Sequence, residues 1–252
     1  VGEEAAGEAA QVRALRAAIL IACLLAAWQA LFWFAGESAL TSPRETIAYT
    51  LALLSSPSFY PHLAETAQAF AVALAIAISC GILIGFSLGL YRFAGEVGEP
   101  VLVALYSIPK ITLYPIVLLA FGIGMPAKIA FGAIHGIVPV AMFALGAVRN
   151  LNPVYAKTAR VMRMPPAQIA SRVLLPAAIP EIFTGIRIGF SLTLIGTLLG
   201  EMFASQRGLG HLLIQAIGLH NVRMIMALTL LLVVIAVTAS AALLAVDRRL
   251  RR

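Results

Sequence analysis

Few side chains in this sequence stand where chemistry or transport could use them, and most of those lie inside apolar runs. Lys110 follows Pro109 in the run 100–121, which Pro115 interrupts again just after Tyr114. An ammonium at membrane depth is expensive and usually faces a cavity or a partner. Prolines inside a helix free backbone carbonyls, as in the broken helices of transporters. Pro109, Lys110 and Tyr114 therefore read as part of a pathway with a cation for an anionic solute. The competing reading is a lysine that snorkels to an interface or pairs locally. Glu201, near the end of the run 180–203, could gate that pathway or touch a delivering protein. The preferred role is local pairing or capping. His135, midway along the run 127–148, reads as a packing or hydrogen-bonding group before a proton relay.

Other chemistries find no residues to carry them. Cys23 and Cys80 sit in apolar stretches as small hydrophobes, and the four histidines show no ligand spacing. Gly208-Leu209-Gly210 reads as a turn, because a phosphate cradle needs a following Lys-Ser/Thr. No catalytic residue, metal ligand or bound cofactor is expected of this chain.

The surrounding elements explain the pattern. The chain is 61% hydrophobic and 12% charged with mean hydropathy +0.97, against soluble averages of roughly 45–50% and 25%. Six apolar runs cover 17–36, 63–90, 100–121, 127–148, 180–203 and 222–246. Each reaches the roughly 20 residues of helix that span a bilayer core. No alternating ten-residue segments of a barrel occur. Gly81, Gly85 and Gly89, four apart, mark a face for close helix packing. The expected fold is an all-α integral membrane protein with six transmembrane helices.

Between the runs, residues 1–12 are small and acidic and are expected to be mobile. Residues 37–61 read as a loop with a short helix near 44–54, and 91–99 as a polar break. The net charge of +7 comes from basic residues beside the runs, where the positive-inside rule accounts for it without nucleic acid. Six spans put Arg13 and Arg16, the 91–98 loop, the basic 149–172 loop and the arginine-rich tail on one side, the cytoplasm. Arg187 is then an anchor at that surface. The domains follow: 1–16 a cytoplasmic segment, 17–246 the six-helix transmembrane domain with a loop at 149–176, and 247–252 a basic cytoplasmic tail.

That loop is the most informative stretch. Asn152 suits an N-cap and Pro153 the first helical position, while Pro165-Pro166 should stop one helix and start another. Two short helices with a sharp turn could dock into a partner's groove. The segment resembles the coupling loop of binding-protein-dependent ABC importer permeases: Glu-Ala-Ala, three residues, Gly, nine residues, Ile, any residue, Leu-Pro. Lys157-Thr158-Ala159 takes the triplet, Arg163 the glycine, and Val173, Leu175 and Pro176 the end, with no gap. Lys157 and Arg163 depart from the pattern. Losing glycine removes the residue that tolerates positive φ, so Pro165-Pro166 would set the turn instead. Ile108-Pro109-Lys110-Ile111, Tyr114-Pro115, Phe121-Gly122-Ile123-Gly124, Lys128, Thr184-Gly185-Ile186-Arg187, Glu201-Met202 and Gly208-Leu209-Gly210 resemble the nitrate/sulfonate/taurine branch.

The resemblance implies a type I ABC importer permease that moves a small anion such as a sulfonate, taurine or nitrate. It implies a second permease, two cytoplasmic ATPase subunits that hold ATP and Mg, and an extracytoplasmic solute-binding protein. The site is the bacterial inner membrane. Coupling to the ATPase would use Lys157, Thr158, Ala159, Arg160, Arg163, Pro165, Gln168 and Pro176. With no Gly-x-x-x-x-Gly-Lys-Ser/Thr loop in the chain, hydrolysis falls to the partner. The alternatives are an ion-coupled secondary transporter, or an importer of a thiamine-precursor pyrimidine or aromatic acid. A membrane enzyme would need clustered Asp, His or Ser groups.

Overall fold

The computed structural model describes residues 2–250, with the side chains of 2–11, 13, 14, 204 and 250 excepted. Arg13 of the first basic flank and Arg251 and Arg252 of the tail thus lie outside the described side chains. All regular structure among the described residues is helical.

Helix α1 runs Gly2–Ala35, and Gly36 ends it at φ 77°. The acidic lead-in expected to be mobile is therefore continuous with the first span; its alanines favour helix and it holds no proline. Helix α2, Pro43–Leu54, starts where Ser42 accepts a hydrogen bond from the Glu45 N–H and Pro43 fills the first position. Helix α3 is Tyr60–Leu90 and α4 is Arg92–Ser107. The expected nine-residue break shrinks to Tyr91, because Arg92 and Glu96 pair across one helical turn at 2.9 Å.

At Ile108-Pro109 the chain turns through a 3₁₀ segment, Lys110–Leu113, into α5, Tyr114–Phe121. The two arms, Arg92–Ser107 and Lys110–Phe121, are bent by 85°. The described residues hold five helices long and apolar enough to cross a membrane, and a sixth span if the bent pair is taken as one. After Gly122 and Gly124, both at positive φ, come α6, Met125–Arg149, and α7, Pro153–Val161. Helix α8, Pro166–Ile169, passes through a π turn, Ala170–Leu174, into α9, Leu175–Ala204. Helix α10, Leu209–Gly218, occupies what reads in sequence as an outer loop, and α11 is Val222–Leu250.

The chain divides into two compact units. In the first, Val1–Pro57 with Gln215–Val233, the Trp28 indole donates to the Thr41 carbonyl at 3.1 Å, and Arg223 pairs with Glu45 at 2.8 Å. The second, Ser58–Ile214 with Val234–Arg252, is built on α3, α6 and α9. Gly81, Gly85 and Gly89 all face α6, at Val140, Ala141 and Val148. A β-carbon on Gly85 would stand 2.1 Å from the Ala141 carbonyl oxygen, so only glycine allows that approach. Gly132 and Gly136 of α6 stand where all three helices meet, against Thr197 and Thr193 of α9 and Ala73 and Ala77 of α3. His135 hydrogen-bonds through Nδ1 to the Phe131 carbonyl at 2.8 Å and packs on Gly196, the packing role expected of it.

Candidate functional site

The α7–α9 segment builds its own turn. Asn152 Oδ1 accepts from the Val154 N–H at 3.0 Å and caps α7. The helix stops at Val161, ahead of the prolines. Arg163 N–H reaches the Arg160 carbonyl at 2.9 Å and Met164 N–H the Ala159 carbonyl at 3.1 Å, with Arg163 at φ 55°. This is a Schellman ending with arginine in the left-handed position that glycine usually takes. The turn is thus made at Arg163 itself, in the glycine position of the pattern, and not by the prolines as expected. Pro165 is extended, and Pro166 opens α8. The second element is not a separate short helix, because α8 runs on into the fifth span. The π turn accommodates Pro176, which has no N–H to offer the preceding turn.

Of the eight coupling positions, Ala159 is buried, at 3% exposure. Lys157, Thr158, Arg160, Arg163, Pro165, Gln168 and Pro176 are exposed. Val161 and Met162 at the tip are 83% and 71% exposed.

The proposed pathway residues are not brought together. Lys110 Nζ donates to the Tyr106 carbonyl at 3.2 Å and lies 5.1 Å over the Tyr106 ring, on its own bent segment. Tyr114 is buried, donates its O–H to the Gly200 carbonyl at 3.1 Å and meets Phe131 edge-on. It pins the second arm of the bent pair to α9.

Glu201 lies in a closed polar cluster and faces no open pathway in this structure; the local pairing preferred for it is what the geometry has. Its carboxylate accepts from Thr66 Oγ1 at 2.8 Å and from the Gly210 N–H at 2.9 Å, and stands 3.8 Å from Lys128 Nζ. Lys128, also at 0% exposure, bonds Glu65 Oε1 at 2.9 Å and the Arg207 carbonyl at 3.0 Å. Thr66 Oγ1 in turn accepts from the Leu209 N–H at 2.8 Å. The cluster ties α3, α6 and α9 to the start of α10. It also accounts for Gly208-Leu209-Gly210: a β-carbon on Gly208 would fall 2.2 Å from the Glu201 carboxyl carbon. The roles of Lys128 and Glu65 escape sequence reasoning because each stands in the first turns of its helix, where charge reads as an interfacial anchor. Arg187 is likewise more than an anchor, lying 3.6 Å from the buried carboxylate of Asp247. No group of three or more His, Cys, Asp or Glu that could hold a metal occurs among the described residues.

A chain of several apolar spans, a broken helix and a capped basic turn between two spans fits one architecture, and residues 77–252 match the family of binding-protein-dependent transport system inner membrane components. The chain belongs to this family. It is a multi-pass membrane permease subunit of an ABC importer, and the secondary-transporter alternative gives way. Such a permease implies, in general, ATPase and binding-protein partners. The permease is 30% identical over 217 residues to the nitrate import permease protein NrtB of Synechocystis, covering 81% of this chain and 77% of that one. It is 29% identical over 216 residues to the taurine transport permease protein TauC of Escherichia coli, covering 84% and 78%. In fold it is similar to a chain of the MetNI methionine ABC transporter in inward-facing conformations. That match has a TM-score of 0.61 at 22% identity and covers 77% of this chain and 94% of that one.

Proposed function

We propose that the permease carries a small anion of the nitrate or sulfonate class into the cytoplasm, driven by ATP bound with Mg to partner ATPase subunits. The observation that carries the substrate class is the likeness to a nitrate and a taurine permease along about four fifths of the chain. Both named solutes bear a compact, oxygen-rich acidic group. Two permease copies, or this chain and a close relative, enclose the pathway, and an extracytoplasmic binding protein delivers the solute to it. The N-terminus, the 149–176 segment and the C-terminal tail face the cytoplasm of the inner membrane, supported by the arginine and lysine that gather there.

Coupling runs through the α7 turn. Its exposed Lys157, Thr158, Arg160, Arg163, Pro165, Gln168 and Pro176 meet the ATPase, while buried Ala159 anchors the turn. Because α8 continues through the π turn into α9, a displacement of the turn is passed to a membrane-spanning helix without a flexible joint. ATP-driven closure of the ATPases then rocks the helices between outward and inward access. The bent α4–α5 pair, with Pro109 and Lys110, lines the pathway beside α9, and buried Tyr114 pins its second arm in place. Lys110 supplies a positive charge against the solute, and Glu201 acts as a structural lock.

The test is uptake of radiolabelled taurine or nitrate into vesicles that hold the permease with its co-purifying ATPase and binding protein. Uptake should need internal or cytoplasmic-side ATP and the binding protein. Uptake by the permease alone, driven by an ion gradient, would overturn the proposal.

A further inference from the structure

Four cations on the α7 turn and the helix after it, Lys157, Arg160, Arg163 and Arg172, are exposed, and among the described residues none is ion-paired. No Asp or Glu occurs anywhere between Arg149 and Pro176, and Arg149 itself is held by Glu99. Lys157 and Arg160 are three apart on α7, and so lie on one face. Ala159 is turned inward from that face. Arg163 follows three residues later, with the exposed Val161 and Met162 between. The turn thus presents an apolar tip beside a row of unneutralised positive charge.

Arg163 tells against a membrane surface as the occupant. Lipid headgroups attract arginine wherever it stands near the interface, and need none at a strained position. Here an arginine occupies a left-handed backbone position, φ 55°, that glycine fills at no steric cost. A side chain kept there against its backbone preference is accounted for by a contact made at that point. The two departures from the coupling pattern, at Lys157 and Arg163, both add positive charge at the turn.

We infer that this turn docks on an ATPase subunit whose groove has an apolar floor for Val161 and Met162 and a carboxylate-rich rim for Lys157, Arg160 and Arg163. The inference rests on the coupling role proposed above and adds the character of the partner. Complementary charge of this kind sets partner choice and association rate more than total affinity. The permease then selects its own acidic-rimmed ATPase and rejects one whose rim is basic or neutral.

The experiment uses tagged permease extracted from native membranes in mild detergent, with the retained ATPase quantified against salt. Wild type should hold the ATPase with an affinity that falls as salt rises. Arg163→Gly relieves the backbone strain, so its thermal midpoint should match or exceed wild type while ATPase affinity falls roughly 3- to 5-fold. The R160E/R163E double variant should lose on the order of 100-fold, since like charges would face each other. ATPase retention that ignores salt and both variants overturns the acidic-rim inference and leaves the importer reading standing. Retention that depends on added anionic lipid, and not on the two arginines, overturns it in favour of the membrane. If wild type retains no ATPase at any salt, the coupling role fails first, and the inference with it.

Discussion

Replacing Lys128 with methionine should destabilise the permease by an amount the geometry sets. The ammonium is fully buried and makes bonds of 2.9 Å to Glu65 and 3.0 Å to the Arg207 carbonyl, with Glu201 at 3.8 Å. Methionine fills most of the same volume, so the loss is electrostatic and leaves no large cavity. Removing one partner of a buried ion pair costs about 3–5 kcal/mol, because the other charge stays buried and unpaired. Glu201 keeps the Thr66 hydroxyl and the Gly210 N–H. The Glu65 side chain is 27% exposed and regains some hydration. Both effects place the loss at the lower end, about 3 kcal/mol. For a chain of this length about 2–4 °C accompanies each kcal/mol, so the midpoint should fall by roughly 6–12 °C. The assay is thermal unfolding of purified permease in detergent, wild type and variant at one fixed heating rate, because a midpoint depends on scan rate wherever unfolding is irreversible. Adding Glu65→Gln should recover part of the loss, the signature of coupled neighbours. A Lys128→Met midpoint within about 2 °C of wild type would refute the idea that this cluster holds the core together.

Three other outcomes follow from the same structure. Gly85→Val should lower the midpoint by at least as much as a typical overpacking change of about 1–3 kcal/mol, because its β-carbon meets the Ala141 carbonyl of α6 at 2.1 Å and no flexible side chain can yield; the same heating assay reads it. Thr193→Val should leave the midpoint equal or raise it, since the Thr193 hydroxyl is buried with no hydrogen-bond partner among the described residues and its removal ends a desolvation penalty of about 1 kcal/mol or more. Lys110→Gln should cut ATP-driven uptake of taurine or nitrate several-fold with no change in midpoint, since among the described residues its bonds are confined to Tyr106; unchanged uptake would remove Lys110 from the pathway.

Local signals in the sequence carried furthest. Asn152-Pro153 predicts the start of α7 because capping needs only neighbouring residues, and the short helix read near 44–54 is α2. The spans are legible because lipid demands long apolar helices, and the glycine row on α3 because small residues at one spacing have one use there. The failures have equally plain causes. Tyr91–Glu99 looks like a loop by polarity, yet Arg92 and Glu96 stand four apart, the spacing of a helical pair. Helix α10 is ten residues long and is flanked by glycines that read as turns. The lysine–carboxylate cluster joins residues 63 and 135 positions apart, and no local pattern announces such a meeting. Arg163 hides a left-handed turn because arginine carries no signal for one.

The packing also limits how a transport cycle can run. Between α3 and α6 the contacts are backbone against glycine, at Gly85 and Ala141, with Gly81 and Gly89 set against valines on either side. Between α6 and α9, threonines seat in the hollows left by Gly132 and Gly136. A slide of one helix along another by a single residue would drive a side chain into a site where even a β-carbon has no room. Shear within this trio is therefore closed, and at one end the Lys128–Glu201–Thr66 cluster adds a polar tie across all three helices. Motion has to carry α3, α6 and α9 together as one body. A turn that feeds through α8 and a π segment into α9 is well placed to move that body, since a push on the turn at 162–165 enters α8 and runs on into α9 without a further break. The bent α4–α5 pair is tied to it on both arms, α4 by the Arg149–Glu99 pair and the packing of Leu102 on α6, and α5 by the Tyr114–Gly200 bond. The 85° bend at Ile108-Pro109 lies between those ties, so a change in its angle is the motion left to that pair while the trio stays rigid.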